Sequence, residues 1–226
     1  MPSLSGARMP SATPFPSSEF DHWAETYDQD VVAQNTFPFA GYERALSTVV
    51  ELAAAEPGMT VLDIGTGTGN LALRFAERGC QLWGSDFSRV MLQQARRKVP
   101  AAKLVVQDLG GDWPAELDRR FDRIVSAYVF HHFTLRTKVR LVGEMALRHL
   151  APAGRLVIAD LSFPDEAALR AFALSVDDLW EEEHYWLADE SISALTEAGL
   201  RVGYWQVSAC AGVYCADSRV PVRAPG

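Results

Sequence analysis

Three glycines, three aspartates and a pair of histidines carry most of the chemistry this chain has to offer. Gly65, Gly67 and Gly69 fall in the run VLDIGTGTGN, residues 61–70, between an apolar strand pattern and a helical one. Glycine there removes side chains where the backbone bends tightly and lets a ligand approach main-chain N–H groups at the start of the next helix. That is the arrangement of a nucleotide-cradling turn. Asp63 sits just before the glycines, where a carboxylate faces a cationic ligand group more sensibly than a pyrophosphate. Asp86 and Asp108 each follow a later strand-like run; taken singly, each could equally be a solvated helix cap. His131 and His132 follow the fourth strand-like run. An imidazole titrates near neutral pH, so one of them could take a proton from a hydroxyl, thiol or amine; the alternative is that they orient substrate or cap the next helix.

The elements that must position these groups alternate along the chain. Strand patterns are expected over residues 61–64, 80–85, 104–107, 121–127 and 155–159, with helices over 71–78, 89–98 and 135–150 between them. Ser88 reads as a helix cap, Gly79 and Pro100 as helix stops, and Pro152-Ala153-Gly154 as a turn. Such alternation gives a parallel sheet with helices on both faces. A helical stretch over 165–198 then leads into two alternating strands, 200–208 and 212–216, spaced as a hairpin. Ahead of the sheet, Ser18 and Asp21 resemble a capping box for a short amphipathic helix carrying Phe20, Trp23, Ala24 and Tyr27. Residues 46–53 repeat the helical pattern before Pro57-Gly58. Residues 1–17, rich in Pro, Ser and Ala, read as a flexible tail, and 218–226 as a second one; 18–217 form one α/β domain.

Charge and composition narrow the partners. A net charge of −8 opposes a surface built to neutralise nucleic acid, so none is expected as substrate. No apolar run reaches the length of a membrane span, and the N-terminus lacks a secretory pattern; the expectation is a cytoplasmic protein, monomer or homodimer, without a membrane partner. Cys80, Cys210 and Cys215 have no paired spacing and read as reduced thiols; the hairpin spacing leaves open that Cys210 and Cys215 face each other. No His/Asp/Glu set stands at metal-ligand spacing, and no metal is expected.

Gly67 to Ala72 also fits the Gly-x-Gly-x-x-Ala form of the dinucleotide fingerprint, which keeps a nicotinamide-dependent oxidoreductase open as an alternative. That alternative leaves Asp108 and the histidines without a role. The segments DIGTGTG, GSDFSRVML, VVQDL, FDRIVSAYVFHHF and LAPAGRLVIAD, in this order, resemble the class I S-adenosylmethionine-dependent methyltransferases over residues 19–217. FDHWAETYD, GTGNLA and SAYVFHHF are similar within that superfamily to the small bacterial methyltransferases of the YrrT type.

The resemblance implies a Rossmann-like, seven-stranded, mostly parallel sheet with an antiparallel last strand and an N-terminal helical lid. It also implies S-adenosylmethionine as cofactor and S-adenosylhomocysteine as product. It places Gly65, Gly67 and Gly69 under the cofactor, Asp63 near its methionine amino group, Asp86 on the ribose hydroxyls, Phe87 against adenine, and Asp108 with Leu109 at the adenine amino group. Tyr27 would reach the methionine end from the lid, with Trp23 beside the substrate, and Tyr128 would contact the methionine moiety or the incoming nucleophile. Residues 161–198 would build the substrate side. There Glu181-Glu182-Glu183 is ordinarily a solvated face, and Tyr185 and Trp186 are the better candidates for pocket walls. The reaction expected is direct in-line methyl transfer to a small-molecule acceptor. A non-catalytic cofactor-binding regulatory module is the alternative of another class.

Overall fold

A computed structural model describes residues 21, 23–33 and 36–218. The expected tail over 1–17, Ser18, Phe20 and all of the second tail beyond Ser218 lie outside the described residues. A short helix α1 (Tyr27–Ala33) and a longer α2 (Tyr42–Ala53) precede the sheet. Then come β1 (Thr60–Ile64), α3 (Asn70–Ala76), β2 (Gln81–Asp86), α4 (Arg89–Lys98), β3 (Lys103–Val106), β4 (Phe121–Ala127) and a 3-10 turn (Phe130–His132). The second half holds α5 (Leu135–Glu144), a π turn (Met145–His149), β5 (Leu150–Phe163), α6 (Glu166–Val176), β6 (Trp186–Leu187), α7 (Ala188–Glu197), β7 (Leu200–Gln206) and β8 (Ala211–Ser218).

Strand order is β3-β2-β1-β4-β5-β8-β7, parallel from β3 to β5, with β8 antiparallel to both its neighbours. The expected seven-stranded sheet is therefore present, and the two-residue β6 is added beside the end of β5. Adjacent residues of the central strands serve opposite faces, as the two-residue period requires. Leu62, Ile124 and Leu156 pack with Leu141 of α5 and Leu195 of α7. Val61, Val125 and Val157 pack with Leu46 and Val49 of α2 and Phe75 of α3. Helices thus cover both faces, and the strand ends are left to build a site.

Several boundaries differ from the sequence pattern. The expected helix over 135–150 stops at Glu144, widens into the π turn, and gives way to β5 at Leu150, so Pro152 to Gly154 form an irregularity inside a long strand where the register against β4 shifts. The expected helical stretch over 165–198 is two helices separated by extended chain and β6, because Trp186 is drawn into the core beneath β5. The first helix is interrupted at Ala24–Thr26 by a turn. Cys215 pairs in register with Gly203, not Cys210, which is buried where the hairpin turns; all three cysteines are free thiols. Among the described residues no helix is long and apolar enough to cross a membrane.

Candidate active site

The C-terminal ends of β1, β2, β4 and β5 surround a cavity of about 500 Å³, the place where open α/β sheets hold ligands. At one end is the glycine turn. Gly65, Gly67 and Gly69 all have left-handed backbone, with φ of 65°, 54° and 89°, a conformation that costs other residues energy. Their tasks differ. Gly67 borders the cavity and has open space where a side chain would go, whereas a Cβ at Gly65 would stand 2.2 Å from Val129 Cγ2. Gly69 does not line the cavity; a Cβ there would press on Ala95 of α4 at 3.2 Å, so it serves helix packing rather than the ligand contact expected of it.

Asp86 ends β2 and organises this end. Its carboxylate accepts the Gly67 N–H at 2.9 Å and the Ser88 N–H at 2.9 Å, while burial pushes the carboxyl up to about 6. Ser88 caps α4 as expected, accepting the Met91 N–H at 3.0 Å. Asp63 accepts the Thr66 hydroxyl at 2.8 Å and is 1% exposed. Burial, reinforced by the charge of Asp86, raises its carboxyl to about 7. Asp63, Gly65 and Gly67 border a smaller cavity of about 30 Å³ that shares Tyr27 with the larger one.

Phe87 and Leu109 line the same end and Asp108 does not; its carboxylate accepts the Gly110 N–H at 3.0 Å. The neighbouring Gln107 lines the cavity instead. Both polar atoms of its amide are buried without a hydrogen-bond partner among the described residues. A buried amide left unsatisfied costs about 1–3 kcal/mol, so Gln107 is a candidate to contact a ligand. It stands beside Asp108 in VVQDL, and only its side-chain direction singles it out.

The N-terminal segment closes one side. Trp23 and Tyr27 line the cavity and pack edge to face at 4.8 Å, and Phe39, which also lines it, packs against both. Asp28 of α1 fastens this cover: it accepts from Thr68 at 2.6 Å and Asn70 at 3.0 Å and pairs with Lys98 of α4 at 2.6 Å. Lys98 also donates to Asn70 at 2.5 Å. These bonds hold the Asp28 carboxyl below its usual value although burial opposes it.

At the opposite end the chain leaves β4 through Tyr128, whose φ is 58° and whose hydroxyl is buried without a partner among the described residues. Tyr128 lines the cavity, and so do His131 and His132 in the 3-10 turn that follows. The fully buried Asp160 of β5, unremarked in the sequence, accepts the His131 backbone N–H at 2.9 Å and ring Nδ1 at 2.5 Å. It also accepts from Leu161 N at 2.8 Å and Trp186 Nε1 at 3.1 Å. Burial alone would raise the Asp160 carboxyl, but the charge and bond of His131 hold it below its ordinary value. The His131 imidazole is raised, its burial outweighed by Asp160. Burial and the neighbouring His131 push His132 down to about 3.

Of the triple glutamate, Glu183 turns inward and Glu181 also borders the cavity. Glu183 Oε2 lies 3.7 Å from His131 Nε2, and Oε1 lies 3.7 Å from His132 Nδ1. One donor from each of these three residues lies within 4.8 Å of the other two. Local spacing in the sequence shows no such grouping, because Glu183 arrives from the segment after β5. Lys138 is buried, donates to the His184 carbonyl, and is pushed down to about 8 by burial. Tyr185 borders the cavity with Phe37 as expected of a wall residue. Trp186 does not. It is fully buried among Phe130 and Tyr214 and anchors Asp160, so its place is in the core behind the site.

The comparisons with known proteins agree with this geometry. A family profile described as Methyltransferase domain matches residues 61–154. An uncharacterized methyltransferase of Geobacillus kaustophilus is 34% identical over 202 residues, spanning 84% of this chain and 91% of that protein. The methyltransferase YrrT of Bacillus subtilis, likewise uncharacterized, is 31% identical over 201 residues, spanning 83% and 90%. Among solved structures, a complex of DhpI with SAH superposes with a TM-score of 0.66 at 18% identity, covering 89% of this chain and 94% of DhpI. Magnesium protoporphyrin IX methyltransferase from Synechocystis with bound SAH gives 0.64 at 20% identity, covering 89% and 99%. With its glycine turn, its sheet order and its relatives in accord, the chain belongs to the class I S-adenosylmethionine-dependent methyltransferases.

Proposed function

We propose that this methyltransferase passes the methyl group of S-adenosylmethionine in line to a compact metabolite seated against His131, His132 and Glu183. One observation carries the reading: a single cavity joins the Asp86 and Gln107 end to the histidine end. The first end fits the cofactor. Asp86 is a buried carboxylate with capacity for ribose hydroxyls, Phe87 and Leu109 offer faces to a flat base, and the partnerless Gln107 amide supplies a donor and an acceptor at its edge. Asp63, held at the floor of the adjoining cavity, suits a cationic amino group, and the Tyr128 hydroxyl awaits a polar partner between the two ends. When bound, the cofactor supplies a sulfonium methyl that is already electrophilic.

The chain's own contribution is alignment and dryness, effects that reach on the order of 7–11 kcal/mol in well-oriented reactions. Trp23, Tyr27 and Phe39 cover the cavity and exclude water. Tyr128, fixed by its left-handed backbone between β4 and the 3-10 turn, sets the spacing from the glycine turn to the histidines. His131, His132 and Glu183 line the acceptor side, with Asp160 fixing His131 as a positioning residue. Phe37, Phe39, Leu179 and Tyr185 give the acceptor side an apolar wall, consistent with a small organic substrate rather than a polymer.

The test is a metabolite panel incubated with protein and methyl-labelled cofactor. Label is expected in a small molecule. Binding of the cofactor with no labelled product across the panel and a cell extract would favour a non-catalytic module, and label found in protein or nucleic acid would overturn the small-acceptor assignment.

A further inference from the structure

We infer that His131, His132 and Glu183 form a binding site for a divalent transition-metal ion, placed to receive an oxygen or sulfur donor of the acceptor. The site deepens the function proposed above and rests on its reading of this end as the acceptor side. The Glu183 carboxylate stands 3.7 Å from each imidazole, beyond hydrogen-bond reach and with room between the groups. Bonds of about 2.0–2.2 Å to nitrogen and oxygen put neighbouring donors roughly 3.0–3.5 Å apart. The three donors lie within 4.8 Å of one another, so side-chain rotation closes the set.

His131 is prepared for this role. Its Nδ1 is held by Asp160 Oδ1 at 2.5 Å, which fixes the ring and leaves Nε2 directed to Glu183. A carboxylate behind the imidazole is the usual outer partner of a metal-bound histidine. Asp160 is itself locked by Leu161 and the buried Trp186. Three protein ligands leave coordination positions open, and all three line the cavity, so those positions face the acceptor. Two imidazoles and one carboxylate suit Zn²⁺, Fe²⁺ or Co²⁺ rather than Mg²⁺ or Ca²⁺, which take oxygen shells. The Lys138 ammonium nearby is engaged by the His184 carbonyl and the Trp186 ring, 4.5 Å from the ring centre, and its charge acts on both Asp160 and Glu183.

The test uses the full-length protein, freed of metal by a chelator, titrated with Zn²⁺ by calorimetry and with Co²⁺ by visible absorption. One ion per chain is expected, with a cobalt spectrum of mixed nitrogen and oxygen ligation. Glu183→Gln and His132→Ala each remove a ligand and should weaken the ion by more than the roughly 10–100-fold that loss of an outer partner costs, with circular dichroism and S-adenosylhomocysteine affinity unchanged. No stoichiometric ion in the wild-type protein, or equal affinity in both variants, overturns the metal site while leaving the cofactor reading intact. Loss of S-adenosylhomocysteine binding by the wild-type protein would strike the proposed function instead.

Discussion

Asp160 holds His131 twice, by its backbone N–H at 2.9 Å and its ring Nδ1 at 2.5 Å, and so ties the turn after β4 to the end of β5. With Leu161 and Trp186 also donating, this carboxylate is the acceptor in all four of these bonds. Asp160→Asn puts an NH₂ group among those donors. Breaking a buried pair of this kind costs about 3–5 kcal/mol, so urea denaturation should show a loss of that size. A variant as stable as the wild type would mean that the cluster tolerates reversal and that Asp160 does not fix His131.

The two buried aspartates beside the glycine turn give the protein a pH signature. Asp63 has its carboxyl raised from 3.8 to about 7, and Asp86 from 3.8 to about 6. The folded state therefore binds these protons more tightly than the unfolded chain. Their contribution to stability is present at the acid side, falls as pH rises from about 4 toward 7, and is flat above, by on the order of 1 kcal/mol per unit. Ligand-free Asp63→Asn should show a shallower fall than wild type in melts from pH 5 to 8, and equal slopes would remove the burial argument. Affinity for a cationic ligand group should change the opposite way, rising over the same interval.

Gly65 separates strain from collision. Gly58 has a similar left-handed backbone, φ 86°, with nothing within 4 Å of a built Cβ, whereas the Cβ at Gly65 meets Val129 at 2.2 Å. Gly58→Ala should cost roughly 1 kcal/mol, and Gly65→Ala about 1–3 kcal/mol more. Chemical denaturation of both variants reads the difference; equal losses would show that Val129 yields freely.

Beside the bond from the Ser88 hydroxyl to Asp21 at 2.5 Å, the cover over the cavity is fastened by Asp28. Its pair with Lys98 is partly exposed, Lys98 being 23% and Asp28 44% accessible, so it contributes about 1 kcal/mol or less. Lys98→Met should leave the melting temperature almost unmoved while S-adenosylhomocysteine dissociates several-fold faster in stopped-flow measurements. An unchanged off-rate would mean that α1 does not gate the ligand.

Much of this architecture was legible in local pattern. Gly65 and Gly67, Asp86 at the end of β2, Ser88 as a cap, and the β7–β8 hairpin follow from short-range spacing and backbone chemistry. What was hidden depends on where separate segments meet. Asp160 looked like any strand residue until β5 brought it against His131, and Glu183 looked like one of three solvated carboxylates until the chain after α6 folded inward. Trp186 was misplaced for the same reason, since an aromatic in a covering segment can face the ligand or the core, and here the Asp160 carboxylate drew its indole N–H inward. Gln107 and Asp108 are adjacent, and only the side-chain direction after β3 puts Gln107 in the cavity.

The central claim is that the Asp86 end of the cavity holds S-adenosylmethionine, and calorimetric titration with S-adenosylhomocysteine, with NAD in parallel, tests it most directly. Micromolar binding of S-adenosylhomocysteine alone is predicted, weakened in Asp86→Ala by about 1.5–3 kcal/mol, the range for hydrogen bonds to a charged group. Binding of NAD alone, or undiminished S-adenosylhomocysteine affinity in folded Asp86→Ala, would contradict the account.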